Sequence, residues 1–462
     1  MSTILIIILV VLIVILLAKL SKLLFKTDIY LGFLIMIRTK RYIKYLDRLA
    51  RPKKFLNTLA DIGIVIAFGA FGFDYVIKDR IKSKFKRVLL FILSSVVLGF
   101  LTVLLVNSLF ANNPLLTPLF KIILEVLTAI MGLSGFTLAL LIFSAYDIIA
   151  KLFAGNAGQA CPGVGLVVPG VKMPKVDFVI PWYGWIILII SAIIHEFSHG
   201  TLLRVVKAKV KSMGFILAGI LPLGAFVEPD EKKLHKKSKK SIIRMYSAGP
   251  MSNVLLTVIF VIILLIISPF ISNYSHSIAL QKNDYLVVYS TQKTTNICGS
   301  VYDNPAYGVL KKNDKLISVN DIPVKTQSGL ISSLKLKENN KFVVYNLDTN
   351  KERTVYVKPN EVGRLGITTI TKDDPNFKVP WKYFFLKNLY SVVLWTALLN
   401  FFIASVNYLP TVPFDGGGMS QIIFYDYLPK RIPEEKRMKK VSRFFGILIV
   451  FILLLNIIPY FF

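Results

Sequence analysis

The sequence predicts a polytopic α-helical membrane protein of about seven to nine spans, with one small mixed α/β domain inserted between two of them. Three observations predict it. The 462-residue chain is 54% hydrophobic and only 18% charged, with a mean hydropathy of +0.62, which is too apolar for a soluble globular protein of this length. Several stretches approach or reach the roughly 18 to 20 apolar residues that cross about 30 Å of hydrocarbon. From about residue 276 to 377 the pattern turns mixed and polar, with strand-like alternation at 341–345 and 353–357.

The first apolar run, 3–20, has no basic segment before it and no clear small-residue cleavage site after it. It therefore reads as a retained anchor rather than a signal peptide. Further candidate spans are 59–77, 88–110, 119–153, 180–205, 245–271, 383–408 and 445–461. The run 119–153 is too long for one untilted span and has room for two. The intervening polar region, at about 100 residues, can bury a core of its own.

A formal charge of +30 raises the question of nucleic acid, but the cations concentrate in short loops beside the spans: 38–54, 78–87, 204–211, 232–244 and 430–443. That is the positive-inside pattern, and the partner it implies is the lipid bilayer, with no nucleic acid. If loops 232–244 and 430–443 are cytoplasmic, the inserted domain lies on the opposite face. Trp182, Tyr183 and Trp185 open one span and Trp381 and Tyr383 another, as aromatic belts at that outer interface would. The run 59–77 has basic clusters on both sides, which one crossing cannot satisfy, so the topology of residues 1–118 stays open. Cys161 and Cys298, far apart and in unlike contexts, support neither a disulfide framework nor a cysteine metal site.

The strongest local signal is His195-Glu196-Phe197-Ser198-His199, an H-E-x-x-H pentad. On a helix, two histidines four residues apart share one face and can offer imidazole nitrogens to a single Zn²⁺. Glu196 beside them can take a proton from an attacking water. The pentad ends an apolar run, and His195 lies about 15 Å along a helix from Trp185, near the middle of a bilayer. Ionisable groups at that depth cost about 2.5 kcal/mol or more each, and a bound dication is the simplest compensation. The same pentad is also compatible with a polar patch that relays protons along a transport pathway.

A catalytic zinc needs a third protein ligand and an open position for water. His235, in a lysine-rich loop, and His276, at the start of the inserted domain, read as solvated residues. Asp415 is the better candidate: it follows Pro410 and Pro413, which break the helix, and precedes Gly416-Gly417-Gly418, which permit close backbone approach. Unwound backbone inside a membrane is tolerated only against protein or a water-filled cavity. Taken alone, Asp415 also fits a turn at the membrane surface.

The two segments together resemble the site-2 protease family of intramembrane metalloproteases, whose paired signatures are H-E-x-x-H and N-x-x-P-x-x-x-x-D-G. His195, Glu196 and His199 match the first; Asn407, Pro410, Asp415 and Gly416 match the second. The resemblance implies one Zn²⁺ per chain held by His195, His199 and Asp415, Glu196 as general base, and Asn407 and Pro410 at the substrate. Gly249-Pro250-Met251-Ser252-Asn253 resembles the family's G-P-x-x-N segment. The apolar, glycine- and proline-rich stretch 214–229 resembles its membrane-dipping hairpin. Residues 304–320 look like part of a PDZ domain, departing from it at Asn313-Asp314 where Gly-Asp is usual.

The implied organisation is N-terminal spans and basic loops (1–118), a catalytic membrane domain in two parts (119–275 and 378–462), and a PDZ-like domain (276–377) on the non-cytoplasmic face. The implied activity is zinc-dependent hydrolysis of peptide bonds within or near transmembrane helices of membrane-anchored protein substrates, in regulated intramembrane proteolysis, by a multi-pass protein of the cell membrane whose PDZ-like domain contacts peptide or only excludes bulk. A transporter and a catalytically inactive scaffold are the competing classes.

Overall fold

The computed structural model of the chain describes residues 12, 15–23, 28–30, 34–110, 118–155, 160–165, 168–172, 178–219, 221–234, 236–281, 285–297, 300–361, 363–372 and 380–461. Most of the run 3–20, as well as His235 and Cys298, lies outside them. The principal helices are α1 (Ile43–Leu49), α2 (Lys53–Ile77), α3 (Lys84–Phe110), α4 (Pro118–Phe153), α5 (Gly184–Val205), α6 (Lys239–Gln281), α7 (Gln327–Ser333), α8 (Trp381–Asn407), α9 (Asp415–Phe424) and α10 (Glu434–Ile457). Seven of these, α2 to α6, α8 and α10, are long and apolar enough to cross a membrane.

Two of the seven double back. In α2 the helical ladder breaks at Phe68 (φ −125°, ψ 20°) and Gly69 (φ 51°, ψ −129°). Asp61 and Val76 would stand about 22 Å apart on a straight helix. Instead both meet the first turns of α6: Arg244 pairs with Asp61 at 2.6 Å, while Lys240, one turn earlier, donates to the Val76 carbonyl and pairs with Asp79 at 3.1 Å. The break in α4 is at Gly132 (φ 57°, ψ −143°). There the rings of Phe120 and Phe143 stack with centroids 3.9 Å apart, although an unbroken helix would separate them by about 34 Å. The room for two helices that the sequence offers in 119–153 is taken by a helical hairpin. The two tips interlock, because a Cβ on Gly69 would strike the Ala129 carbonyl and one on Gly132 the Ile66 carbonyl. Only glycine combines those dihedrals with that approach.

A four-stranded antiparallel sheet lies against α5. It is built from β1 (Asp28–Tyr30), β2 (Leu34–Thr39), β3 (Val210–Ala218) and β4 (Leu221–Pro229), in that order. The hairpin expected in 214–229 is the β3–β4 pair, and β4 is an edge. The recruitment of β1 and β2 from the N-terminal region adds to that expectation.

The region between α6 and α8 forms a separate sheet body. It comprises β5 (Tyr285–Thr291), the β6–β7 hairpin (Thr294–Ile297, Ser300–Asp303), β8 (Asp314–Val319), β9 (Ile322–Pro323), β10 (Asn340–Asn346), β11 (Lys351–Val357) and β12 (Ile367–Lys372). Its main sheet runs β11-β10-β8-β5-β12, over a core that includes Leu286, Leu316, Phe342 and Val344. Asn313 adopts φ 64°, so asparagine supplies the left-handed turn where glycine was the expected residue. Cys161, beyond the end of α4, is disulfide-bonded, which corrects the expectation drawn from its spacing.

Candidate metal centre

α5 carries His195, Glu196 and His199 on its second half, where the helix is enclosed by α6, α8 and β4. Both histidines are buried. Their Nε2 atoms lie 3.1 Å apart, and each faces Oδ2 of Asp415, at 3.1 Å from His195 and 3.2 Å from His199. Asp415 is the first residue of α9, presented by the non-helical segment between Tyr408 and Phe414. Residues 216 to 220 positions apart in sequence thus meet at one point.

The outer nitrogens settle which side of each ring faces that point. His199 Nδ1 donates to the Met245 carbonyl at 2.7 Å, so its Nε2 presents a lone pair in the neutral ring. His195 Nδ1 is 2.6 Å from Asn253 Oδ1, and Asn253 Nδ2 donates to Asn400 Oδ1 at 2.8 Å. Asn400 in turn donates to the Thr396 carbonyl. Two imidazole lone pairs and a carboxylate oxygen converge, an arrangement of acceptors that repel one another unless a cation lies between them. A tetrahedral ion about 2.0 to 2.1 Å from each donor would set them about 3.3 to 3.4 Å apart, close to the distances observed. The set fits a metal ion, and His195, Glu196 and His199 form a group able to hold one.

Glu196 is held from the sheet: its Oε2 accepts the Val227 backbone N–H at 2.9 Å. Gly249 closes the opposite side, since a Cβ there would strike Nε2 of both histidines. Two cavities share His195, Glu196 and Asn407. One, of about 320 Å³, runs along α5 past Trp185 and Ala192 to Gly224 and Ala225 of β4. The other, of about 410 Å³, leads past Val227, Leu234 and Pro413 toward the basic loop before α6.

The predicted residues do not all reach these cavities. Asn407 ends α8, lines both, and donates to the Ile403 carbonyl. Pro410 is buried, its carbonyl accepts from Ser420 Oγ, and it lines neither. Asn400, Met245 and Val227 were not singled out from the sequence. Asn400 carried a signal, an amide two turns before Asn407 in an otherwise apolar run; the other two act through backbone atoms, which leave no mark on residue type.

The fold and site define a polytopic membrane protein with a buried centre of two histidines and one carboxylate, attended by a glutamate. The chain belongs to peptidase family M50, the site-2 protease family of metallopeptidases, whose profile matches residues 183–453. It is also similar to an uncharacterized protein of Methanocaldococcus jannaschii, at 31% identity over 242 residues. That match spans 52% of this chain and 56% of the relative.

Proposed function

We propose that this protein is a zinc-dependent intramembrane endopeptidase that hydrolyses peptide bonds within or near transmembrane helices of membrane-anchored substrates. The observation that carries the reading is the convergence of His195, His199 and Asp415 on one point beside Glu196, at the junction of two cavities. When bound, zinc supplies Lewis acidity, making water acidic enough to deprotonate near neutral pH and polarising the scissile carbonyl.

The chain's own residues supply the rest. Glu196, held by Val227, accepts the proton of the attacking water and returns it to the departing amine. Asn253 and the Met245 carbonyl keep the imidazole Nε2 atoms turned inward. Asn407, at the junction of both cavities, is placed to hydrogen-bond a substrate backbone. Pro410 acts from behind, by ending α8 so that Asp415 can turn toward the histidines. A helical substrate shields its peptide bonds with its own hydrogen bonds, so it must unwind locally. The open edge of β4, which lines the apolar cavity, offers backbone partners to an extended segment. The second cavity is a route for water from the basic face.

The ionisable groups of the site, His195, Glu196, His199 and Asp415, converge on one point, which favours hydrolysis over transport. A PDZ-like role for the sheet domain, on the non-cytoplasmic face of the cell membrane, and participation in regulated intramembrane proteolysis extend the same proposal. Metal analysis of the purified protein, with cleavage of a single-span model substrate and mapping of the cut, tests it. The expected result is about one zinc per chain and a cut inside the span, both lost in Asp415→Ala. Wild type without zinc, or cleavage that survives Asp415→Ala, would overturn it.

A further inference from the structure

The fold-back of α2 brings its far end beside the start of α3 and the turn Tyr425–Tyr427 after α9. A cavity of about 720 Å³ opens between these elements, away from the metal centre. Four cations line it, Lys78, Lys84, Arg87 and Lys430, against two carboxylates, Asp74 and Asp426. Both carboxylates are already engaged. Asp74 accepts two hydrogen bonds from Arg87 and one from the Tyr427 hydroxyl at 3.1 Å. Asp426 pairs with Lys78 at 3.0 Å. Lys84 and Lys430 are exposed and have no ion-pair partner among the described residues.

The inner wall is apolar, formed by Phe71, Phe91 and Ile423. From the cavity, a stripe of exposed residues one turn apart runs along α3: Val88 at 58%, Ile92 at 54% and Val96 at 64% exposure. A soluble anion would need only the cations. A charged mouth that continues into an exposed apolar track along a membrane helix matches a molecule with a phosphate at one end and hydrocarbon at the other.

We propose that this cavity is a binding site for one anionic glycerophospholipid, its headgroup phosphate between Lys84 and Lys430 and an acyl chain along Val88, Ile92 and Val96. The site is distinct from the metal centre, and the proposal does not depend on the catalytic reading. It goes beyond the general attraction of basic loops for anionic membranes, because it assigns one lipid to one cavity.

Native mass spectrometry of the full-length protein, released from detergent with dioleoylphosphatidylglycerol or dioleoylphosphatidylcholine, tests it. Wild type is expected to retain one phosphatidylglycerol and much less phosphatidylcholine. At about 1 kcal/mol per lysine near a membrane surface, Lys84→Gln/Lys430→Gln should lower retention about tenfold or more. Lys232→Gln/Lys236→Gln, with the same charge change in the loop before α6, should retain the lipid as wild type does. The thermal midpoint and the monodisperse elution of every variant report that the bundle is folded; should the Gln pair fail there, Lys84→Arg/Lys430→Arg, which keeps the charge, is expected to retain the lipid. Undiminished retention in the folded Gln pair, loss in the Arg pair, or equal retention of phosphatidylcholine would overturn the proposal. Displacement by millimolar inorganic phosphate would assign the site to a soluble anion and overturn it as well.

Discussion

Gly249 sets how closely α6 can approach the two imidazoles. With both Nε2 atoms where its side chain would be, Gly249→Ala must displace a histidine, and the purified variant is expected to lose most of its metal by elemental analysis. Asn253→Ala acts more gently, removing the partner of His195 Nδ1 and leaving the Asn400 amide oxygen without its donor. Loss of such a supporting partner lowers metal affinity by about 10- to 100-fold, measurable by competition with a chelator. Wild-type affinity in Asn253→Ala would contradict a supporting role for the asparagine. At this scale the sequence was most legible where chemistry demands a residue type, as in the H-E-x-x-H pentad and Asp415. It was silent on Met245 and Val227, because any side chain could stand over a backbone carbonyl or N–H.

At the scale of elements, α2 and α4 show why hydropathy alone misleads. A run of apolar residues satisfies a crossing and a helical hairpin equally well, since both bury their backbone hydrogen bonds. The distinguishing information sits in Gly69 and Gly132, two glycines among many. Gly132→Ala imposes a side chain on a φ of 57° and on the Ile66 carbonyl. We expect it to destabilise the bundle by roughly 2 kcal/mol or more, visible as a lower thermal midpoint. Gly99→Ala, whose new Cβ would meet only Ala129 Cβ at 3.8 Å, is expected to leave the midpoint unchanged or raised. Equal midpoints for the two variants would contradict the hairpin. The sheet beside α5 was legible in half. Strands β3 and β4 are adjacent and carry a glycine- and proline-rich pattern, whereas β2 pairs with β3 across more than 170 residues, a distance local pattern cannot bridge.

For the whole molecule, the hairpin in α2 resolves the conflict that the basic clusters on both of its sides presented. Asp61 and Val76, on the two limbs of α2, both meet the end of α6 that carries Lys240 and Arg244, so residues 38–54 and 78–87 share one face, as the positive-inside rule requires. Cysteines introduced at Arg51 and Lys82 are therefore expected to react with a membrane-impermeant thiol reagent from the same side. One at Lys351, in the sheet domain, should react from the other. Labelling of positions 51 and 82 from opposite sides would restore a single crossing and overturn the fold-back.

In the proposed reaction, Glu196 and the metal centre hydrolyse a peptide bond inside the bundle. Its most direct test is the cleavage rate of a single-span substrate by Glu196→Gln measured with the metal content of the same sample. Glutamine preserves an acceptor for the Val227 N–H but takes no proton, and general-base catalysis contributes about 10²- to 10⁴-fold. Wild-type metal content is expected, with cleavage reduced by at least the lower of those factors. Cleavage at the wild-type rate in the metal-loaded variant would contradict it.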